Sequence, residues 1–297
     1  VTRHLLEVDD LTPAELAAVL ERARQADPEP VLAGRGVALL FEKPSARTRH
    51  STEMAVVQLG GHPVTVRADE VGIDERETAE DVARTLACYH AAIGARVFAH
   101  RTLERMAGAT EVPVVNLLSE DSHPLQAVAD LLTIADEFGR LEGLVLAWVG
   151  DYTNVARSLA LAAAASGLSV RFACPSGYGP SEVEVDRLRT GGGEVTLSDR
   201  AAEAVSGADV VVTDAWYAMG QEGEADARRR AFEGFTVDAA LLDRAADGAI
   251  LLHCLPAHRG EEVSADAIDG PHSRVWAEAT NRMHAARGVL SWLVDQP

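Results

Sequence analysis

Lysine is almost missing from this chain: Lys43 is the only one, against 26 arginines. Cysteine is scarce as well. Cys88, Cys174 and Cys254 lie far apart with no CxxC pair, which argues against a disulfide framework and against a structural zinc site. The longest apolar stretch, from Leu159 to Ala165, is too short to span a bilayer, and Val1-Thr2-Arg3-His4 opens no apolar signal region. The expectation is a cytoplasmic protein. Neither G-x-G-x-x-G nor a Walker A segment occurs, and no repeat or low-complexity tract is present. Positive charge is short overall: 27 Lys plus Arg face 46 Asp plus Glu, for a formal charge of −19. Such a surface repels nucleic acid and anionic lipid, so neither is expected as a partner. A small anion would have to be captured by a local cluster of arginines.

What is present is a regular alternation. The 297 residues suffice for two domains, and an apolar content of 47% with 25% charged residues is that of an ordinary soluble globular protein. A first helix is expected over residues 13–25, with Thr12 as its cap. Strands follow at 37–41, 63–66, 92–97 and 112–116, separated by helices at 48–59, 78–89 and 103–108. A long helix at 123–138 ends near Gly139. Beyond Gly143 the pattern restarts, with strands at 144–149, 169–173, 194–196, 210–213 and 250–253. Helices fill 154–165, 183–189, 200–205 and 239–245, and a last one runs from about 280 to 294. Repeated βα units with apolar strands imply α/β architecture: two doubly wound parallel-sheet domains, 1–139 and 140–297, with the last helix packing back on the first. In such sheets ligands gather at the carboxyl ends of the strands, which places the active site in the cleft between the domains.

The polar clusters fall at those strand ends. Phe41-Glu42-Lys43-Pro44-Ser45-Ala46-Arg47-Thr48-Arg49 reads as a strand end, a turn and a helix start. A helix start offers unpaired N–H groups and a positive dipole end; Ser45 and Thr48 add hydroxyls and Arg47 a charged fork, so the segment reads as a phosphate site. The plainer reading is a capped helix with solvated arginines. His123-Pro124-Leu125-Gln126 opens the long helix. There the dipole disfavours an imidazolium and leaves His123 a neutral donor, while Gln126 can hold an amide-like group; a simple Pro-bearing cap is the alternative. Gly150-Asp151-Tyr152-Thr153-Asn154 follows a buried strand and invites an NAD-binding oxidoreductase reading, which lacks its glycine fingerprint. Asp214 begins an aromatic-rich loop ending Ala218-Met219-Gly220, and can bind an amine or cap the loop. His253-Cys254-Leu255-Pro256-Ala257-His258-Arg259-Gly260 closes another strand. Cys254 can be a nucleophile, a metal ligand, a polar contact or simply buried; His253 and His258 lack the spacing or further partners of a zinc site, so no metal is expected.

Together these segments resemble, in order and over nearly the whole length, the ornithine branch of the aspartate/ornithine carbamoyltransferase family. The resemblance implies transfer of the carbamoyl group of carbamoyl phosphate to L-ornithine, giving L-citrulline and phosphate in arginine metabolism, without metal or organic cofactor. It implies that Ser45, Arg47 and Thr48 hold the phosphate and that Arg96 bridges phosphate and carbonyl oxygens. His123 would donate to the carbonyl oxygen, Gln126 and the Leu255 backbone would orient the carbamoyl NH2, and Arg282 would return to the same pocket. Asn154 and the Met219 backbone would bind the α-carboxylate and Asp214 the α-amine, with Cys254 close to the reacting amine. A different acceptor (lysine, putrescine or a modified ornithine) stays open, because Ala218 replaces the usual serine of the amino-acid loop. Ala46 and Thr280 are further departures, from a threonine and a glutamate. The family's trimers, singly or stacked, would complete the phosphate pocket with a neighbour's loop, here residues 72–78 with Arg76.

Overall fold

The computed structural model describes Thr2–Tyr217 and Glu222–Asp295. The chain divides into two compact units, Val1–Leu132 with Thr280–Pro297, and Thr133–Ala279. Both divisions fall inside helices, Pro124–Phe138 and Val275–Val294.

In the first unit, helix α1 (Pro13–Arg24) precedes strand β1 (Gly36–Phe41), α2 (Ala46–Gln58) and β2 (His62–Arg67). Then come α3 (Ala68–Val71), α4 (Ala79–Ala87), β3 (His90–Arg96), α5 (His100–Ala107), β4 (Val114–Leu118) and α6 (Pro124–Phe138). The strands form one parallel sheet in the order β2-β1-β3-β4. The central strands β1 and β3 are buried almost throughout, as continuous apolar runs in a covered parallel sheet must be. The edge strand β2 instead alternates in exposure and tolerates Pro63. Thr12 caps α1 in a reciprocal box with Glu15.

The second unit continues with β5 (Val145–Val149), α7 (Asn154–Ala165), β6 (Ser169–Ala173), α8 (Glu182–Thr190), β7 (Glu194–Ser198), α9 (Ala201–Val205) and β8 (Val210–Thr213). After it come α10 (Ala225–Ala231), α11 (Ala239–Leu242), β9 (Ile250–Leu252), α12 (Ala265–Ile268) and α13 (Val275–Val294). Its parallel sheet runs β7-β6-β5-β8-β9. Trp216 stacks on Phe232, with ring centroids 5.3 Å apart, in the core beside this sheet. No helix among the described residues is long and apolar enough to cross a membrane.

Within the first unit, α13 lies tight against α1. Arg287 donates to the carbonyls of Ala23 and Gln25, both at 2.6 Å, and so satisfies the C-terminal end of α1. Gly288 makes the approach possible: a Cβ there would stand 2.6 Å from the Val19 carbonyl oxygen and 2.9 Å from the Ala23 nitrogen. Backbone atoms cannot swing aside as a side chain does. Gly288→Ala is therefore expected to destabilise the protein by about 1–3 kcal/mol despite alanine's better helix propensity. Urea unfolding checks this, and an equal or more stable variant would refute the packing assigned to α13.

Candidate active site

Both sheets reverse their strand order at one place, and both polar clusters stand there. In the first unit the order reverses between β1 and β3, so the loop after β1 and the end of β3 lie side by side. Ser45 caps α2, its hydroxyl accepting from the Thr48 N–H at 3.3 Å. Arg96, at the end of β3, donates to Thr48 Oγ1 at 3.3 Å, and Arg282 of α13 donates to the same oxygen at 3.1 Å. Arg282 also donates to Gln126 Oε1, and Gln126 Nε2 donates to Asp130 at 2.7 Å, which fixes the amide's orientation. Thr48, Arg96, His123, Gln126 and Arg282 are all buried. A helix start and two buried guanidinium groups thus converge within an otherwise acidic chain. That is the chemistry of an anion site. Arg47 is exposed on the first turn of α2, and Lys43 lies 4.3 Å from the Phe98 ring centroid, so neither belongs to the buried network. In the loop of residues 72–78, Arg76 is exposed and donates to the Glu70 carbonyl at 3.3 Å, and Arg105 grips Asp74 at 2.7 and 2.9 Å.

His123 immediately precedes α6. Burial, reinforced by the charges of Arg282 and Arg96, holds its pKa well below the ordinary histidine value. This direction favours the neutral imidazole near neutral pH. Below about pH 6.5 the unfolded chain binds a proton here that the folded chain refuses. Stability is therefore fully present above that pH and falls as pH drops, by up to about 1.4 kcal/mol per pH unit. His123→Gln is expected to flatten this acid slope in urea unfolding between pH 5 and 7. An unchanged slope would mean that the imidazole is not held neutral.

In the second unit the order reverses between β5 and β8. Gly150 takes φ 134°, which turns the chain after β5, and Thr153 caps α7 so that Asn154 becomes its first residue. Asp214 follows β8; its Oδ1 accepts from the Ala215 N–H at 2.8 Å and from the Cys254 thiol at 3.2 Å, and Oδ2 accepts from Thr153 at 3.4 Å. Cys254 follows β9, the next strand over. A carboxylate and a thiol so placed can hold a cationic amine and sit beside a second, reacting one. Ala218 and Met219 lie outside the described residues.

Three supporting residues escaped the sequence reading. Glu262 and His253 are both fully buried, with His253 Nε2 3.2 Å from Glu262 Oε1. His253 Nδ1 accepts from the Leu255 N–H at 2.9 Å, so Nε2 carries the proton and donates to Glu262. Leu255 takes φ 60°, rare for a side chain branched at Cγ, and is followed by a cis peptide bond to Pro256. Buried Glu278 accepts from the His253 N–H at 2.8 Å. Arg228 of α10 donates to Asp151 at 2.6 Å and to the Trp216 carbonyl at 2.7 Å, tying the loop after β8 to the turn after β5. Burial raises the Asp151 pKa, against the opposing pull of Arg228. The signal for Glu262 and Glu278 was weak, because carboxylates in so acidic a chain read as solvent-facing.

Two parallel α/β units, one carrying a buried anion-type cluster and the other a carboxylate–thiol pair, have the make-up of a group-transfer enzyme. Residues 3–136 match the carbamoyl-P binding domain of aspartate/ornithine carbamoyltransferase, and residues 142–293 match its Asp/Orn binding domain. The chain belongs to this family. It is 49% identical to an ornithine carbamoyltransferase of Acidothermus cellulolyticus, covering 99% of this chain and 97% of the relative. With one from Parafrankia sp. it shares 46% identity over 99% and 96% of the two chains. Among solved structures, an ornithine carbamoyltransferase from Thermus thermophilus superposes with a TM-score of 0.91 at 43% identity, over 99% of this chain and 100% of that one. One from Pyrococcus furiosus gives 0.93 at 42%, over 98% and 96%.

Proposed function

We propose that the protein transfers the carbamoyl group of carbamoyl phosphate to the side-chain amine of L-ornithine, releasing L-citrulline and phosphate, within arginine metabolism. The observation that carries this reading is the convergence of Arg96 and Arg282 on the Thr48 hydroxyl, beside a neutral His123. An amine attacking a carbonyl builds negative charge on the carbonyl oxygen, and Arg96 and His123 supply donors for it. Phosphate leaves with added charge, which Ser45, Thr48, the start of α2 and Arg47 stabilise. Gln126 and the Leu255 backbone orient the carbamoyl NH2. Arg282 backs both Thr48 and Gln126.

Asn154 and the Met219 backbone hold the amino acid's carboxylate, and Asp214 its α-amine. A free alkylamine has a pKa near 10.4 and is mostly protonated at neutral pH, so it must lose a proton before attack. Cys254, already hydrogen-bonded to Asp214, stands as the positioning group beside that amine. The remaining catalysis is the holding of two substrates together. The relatives' names favour ornithine as acceptor. A homotrimer, or a multiple of it, completes the phosphate pocket with Arg76 of a neighbouring subunit; the exposure of Arg76 leaves it available for this. Phosphate release from carbamoyl phosphate against ornithine, lysine, putrescine, acetylornithine and aspartate tests the reading. Ornithine should be turned over fastest, and a clear preference for another amine would overturn the acceptor assignment.

A further inference from the structure

We propose that His258, Glu261 and Glu262 form a binding site for one divalent transition-metal ion of the zinc type. One ligand atom from each lies within 4.8 Å of the others. Glu262 is fully buried, and its Oε2 has no hydrogen-bond partner among the described residues. His258 Nδ1 and Glu261 Oε2 are likewise buried and lack a hydrogen-bond partner among those residues; the nearest opposite group to His258 Nδ1 is Glu262 Oε2 itself, beyond hydrogen-bond distance. Polar atoms in this state cost free energy, and two carboxylate oxygens within 4.8 Å of one another add repulsion. A single cation relieves all three.

The other atoms of the cluster are committed, and they aim the open ones. Glu262 Oε1 accepts from His253 Nε2 at 3.2 Å and from the His258 N–H at 2.5 Å, which turns Oε2 toward the His258 ring. Glu261 Oε1 accepts from Arg229 at 2.8 Å and from the Tyr217 hydroxyl at 3.2 Å. The His258 ring stacks on Tyr217 at 4.9 Å between centroids, which limits its rotation. His258 Nδ1 and Glu262 Oε2 are 3.7 Å apart. Two ligands bound at about 2.0–2.2 Å to a tetrahedral zinc ion stand roughly 3.3–3.6 Å apart, so this pair needs only a small adjustment, and the Glu261 carboxylate, within 4.8 Å of both, closes in on the ion. One imidazole nitrogen and two carboxylate oxygens suit zinc, cobalt or manganese better than calcium or magnesium, which favour oxygen alone. Two carboxylates against one guanidinium, Arg229, leave the site net negative before an ion arrives.

A second group, Asp214, His253 and Cys254, is equally close together. It is closed by its own hydrogen bonds: both ring nitrogens of His253 are engaged, and the Cys254 thiol donates to Asp214. Because Glu262 also holds His253, an ion at the first group would brace the segment that carries Cys254 and Leu255.

Calorimetric titration of chelator-stripped protein with zinc chloride tests the site, repeated on His258→Ala, Glu261→Gln and Cys254→Ser, with thermal melts of the ion-free variants as a check on folding. One equivalent per chain is expected, retained in Cys254→Ser and weakened at least about tenfold in each folded variant of the other two, since each loses one of three ligands. Cobalt should give the visible bands of a low-coordinate site that vanish in Glu261→Gln. Absence of stoichiometric binding would overturn the proposal, as would binding lost in Cys254→Ser but kept in His258→Ala and Glu261→Gln.

Discussion

Arg96→Met is expected to lower kcat by about a hundred- to a thousandfold while the fold survives, the loss typical of removing one donor to a developing oxyanion. Arg96 is buried at the end of β3, where methionine keeps most of the stem's packing and deletes only the charged fork. Thr48 would still be held by Arg282, so the helix start should remain in place. The deficit should therefore appear in kcat rather than in the KM for ornithine. Single-turnover phosphate release, with circular dichroism as a control for folding, measures it. A variant with near-normal kcat would remove Arg96 from the chemistry.

Asp214→Asn is the second large effect, and it falls on the other substrate. The change preserves shape, and an amide oxygen can still accept from the Ala215 N–H. It removes the charge proposed to face the amino acid and unsettles the bond from the Cys254 thiol. A hydrogen bond to a charged group contributes roughly 1.5–3 kcal/mol, so ornithine KM should rise about ten- to a hundredfold. The KM for carbamoyl phosphate should stay within about threefold, because Asp214 belongs to the set assigned to the amino acid. Unchanged ornithine KM would contradict that assignment.

Most of the fold was legible because it is written in buried apolar strands. Residues 154–165, 169–173 and 210–213 form the elements expected of them, each a run with one clear period and a cap or turn at its end. Elsewhere local chemistry overrode the pattern. The fourth strand begins at Val114 rather than Val112, since Pro113 has no N–H to give to the ladder. The last helix begins at Val275, five residues earlier than expected. There an exposed Trp276 and a buried Glu278 invert the usual pattern of apolar inside and charged outside. Helix α10 was not expected from the sequence, and its three consecutive arginines carry no apolar period, yet Arg228 turns inward to Asp151 and the Trp216 carbonyl.

The candidate site was legible as segments and less so as geometry. The residues themselves pointed to Ser45, Thr48, His123 and Gln126, and the family resemblance added the roles of Arg96 and Arg282, but neither gave a hint that both arginines would meet on one threonine hydroxyl. Arg47 drew attention as the charged residue of the motif, whereas the buried charge belongs to its more distant partners. Metal binding was set aside because His253 and His258 lack both zinc-site spacing and evident further ligands in the sequence. The carboxylates that change the picture, Glu261 and Glu262, lie in a run of charge that carries no periodic signal.

In the proposed reaction the carbamoyl carbon passes from phosphate to the side-chain nitrogen of ornithine. Carbon-13 NMR of the protein with 13C-labelled carbamoyl phosphate and L-ornithine follows that carbon directly. The account predicts that the label appears in the ureido carbon of L-citrulline, one equivalent for each phosphate released. Label that leaves only as cyanate or bicarbonate, with ornithine unchanged, would contradict it.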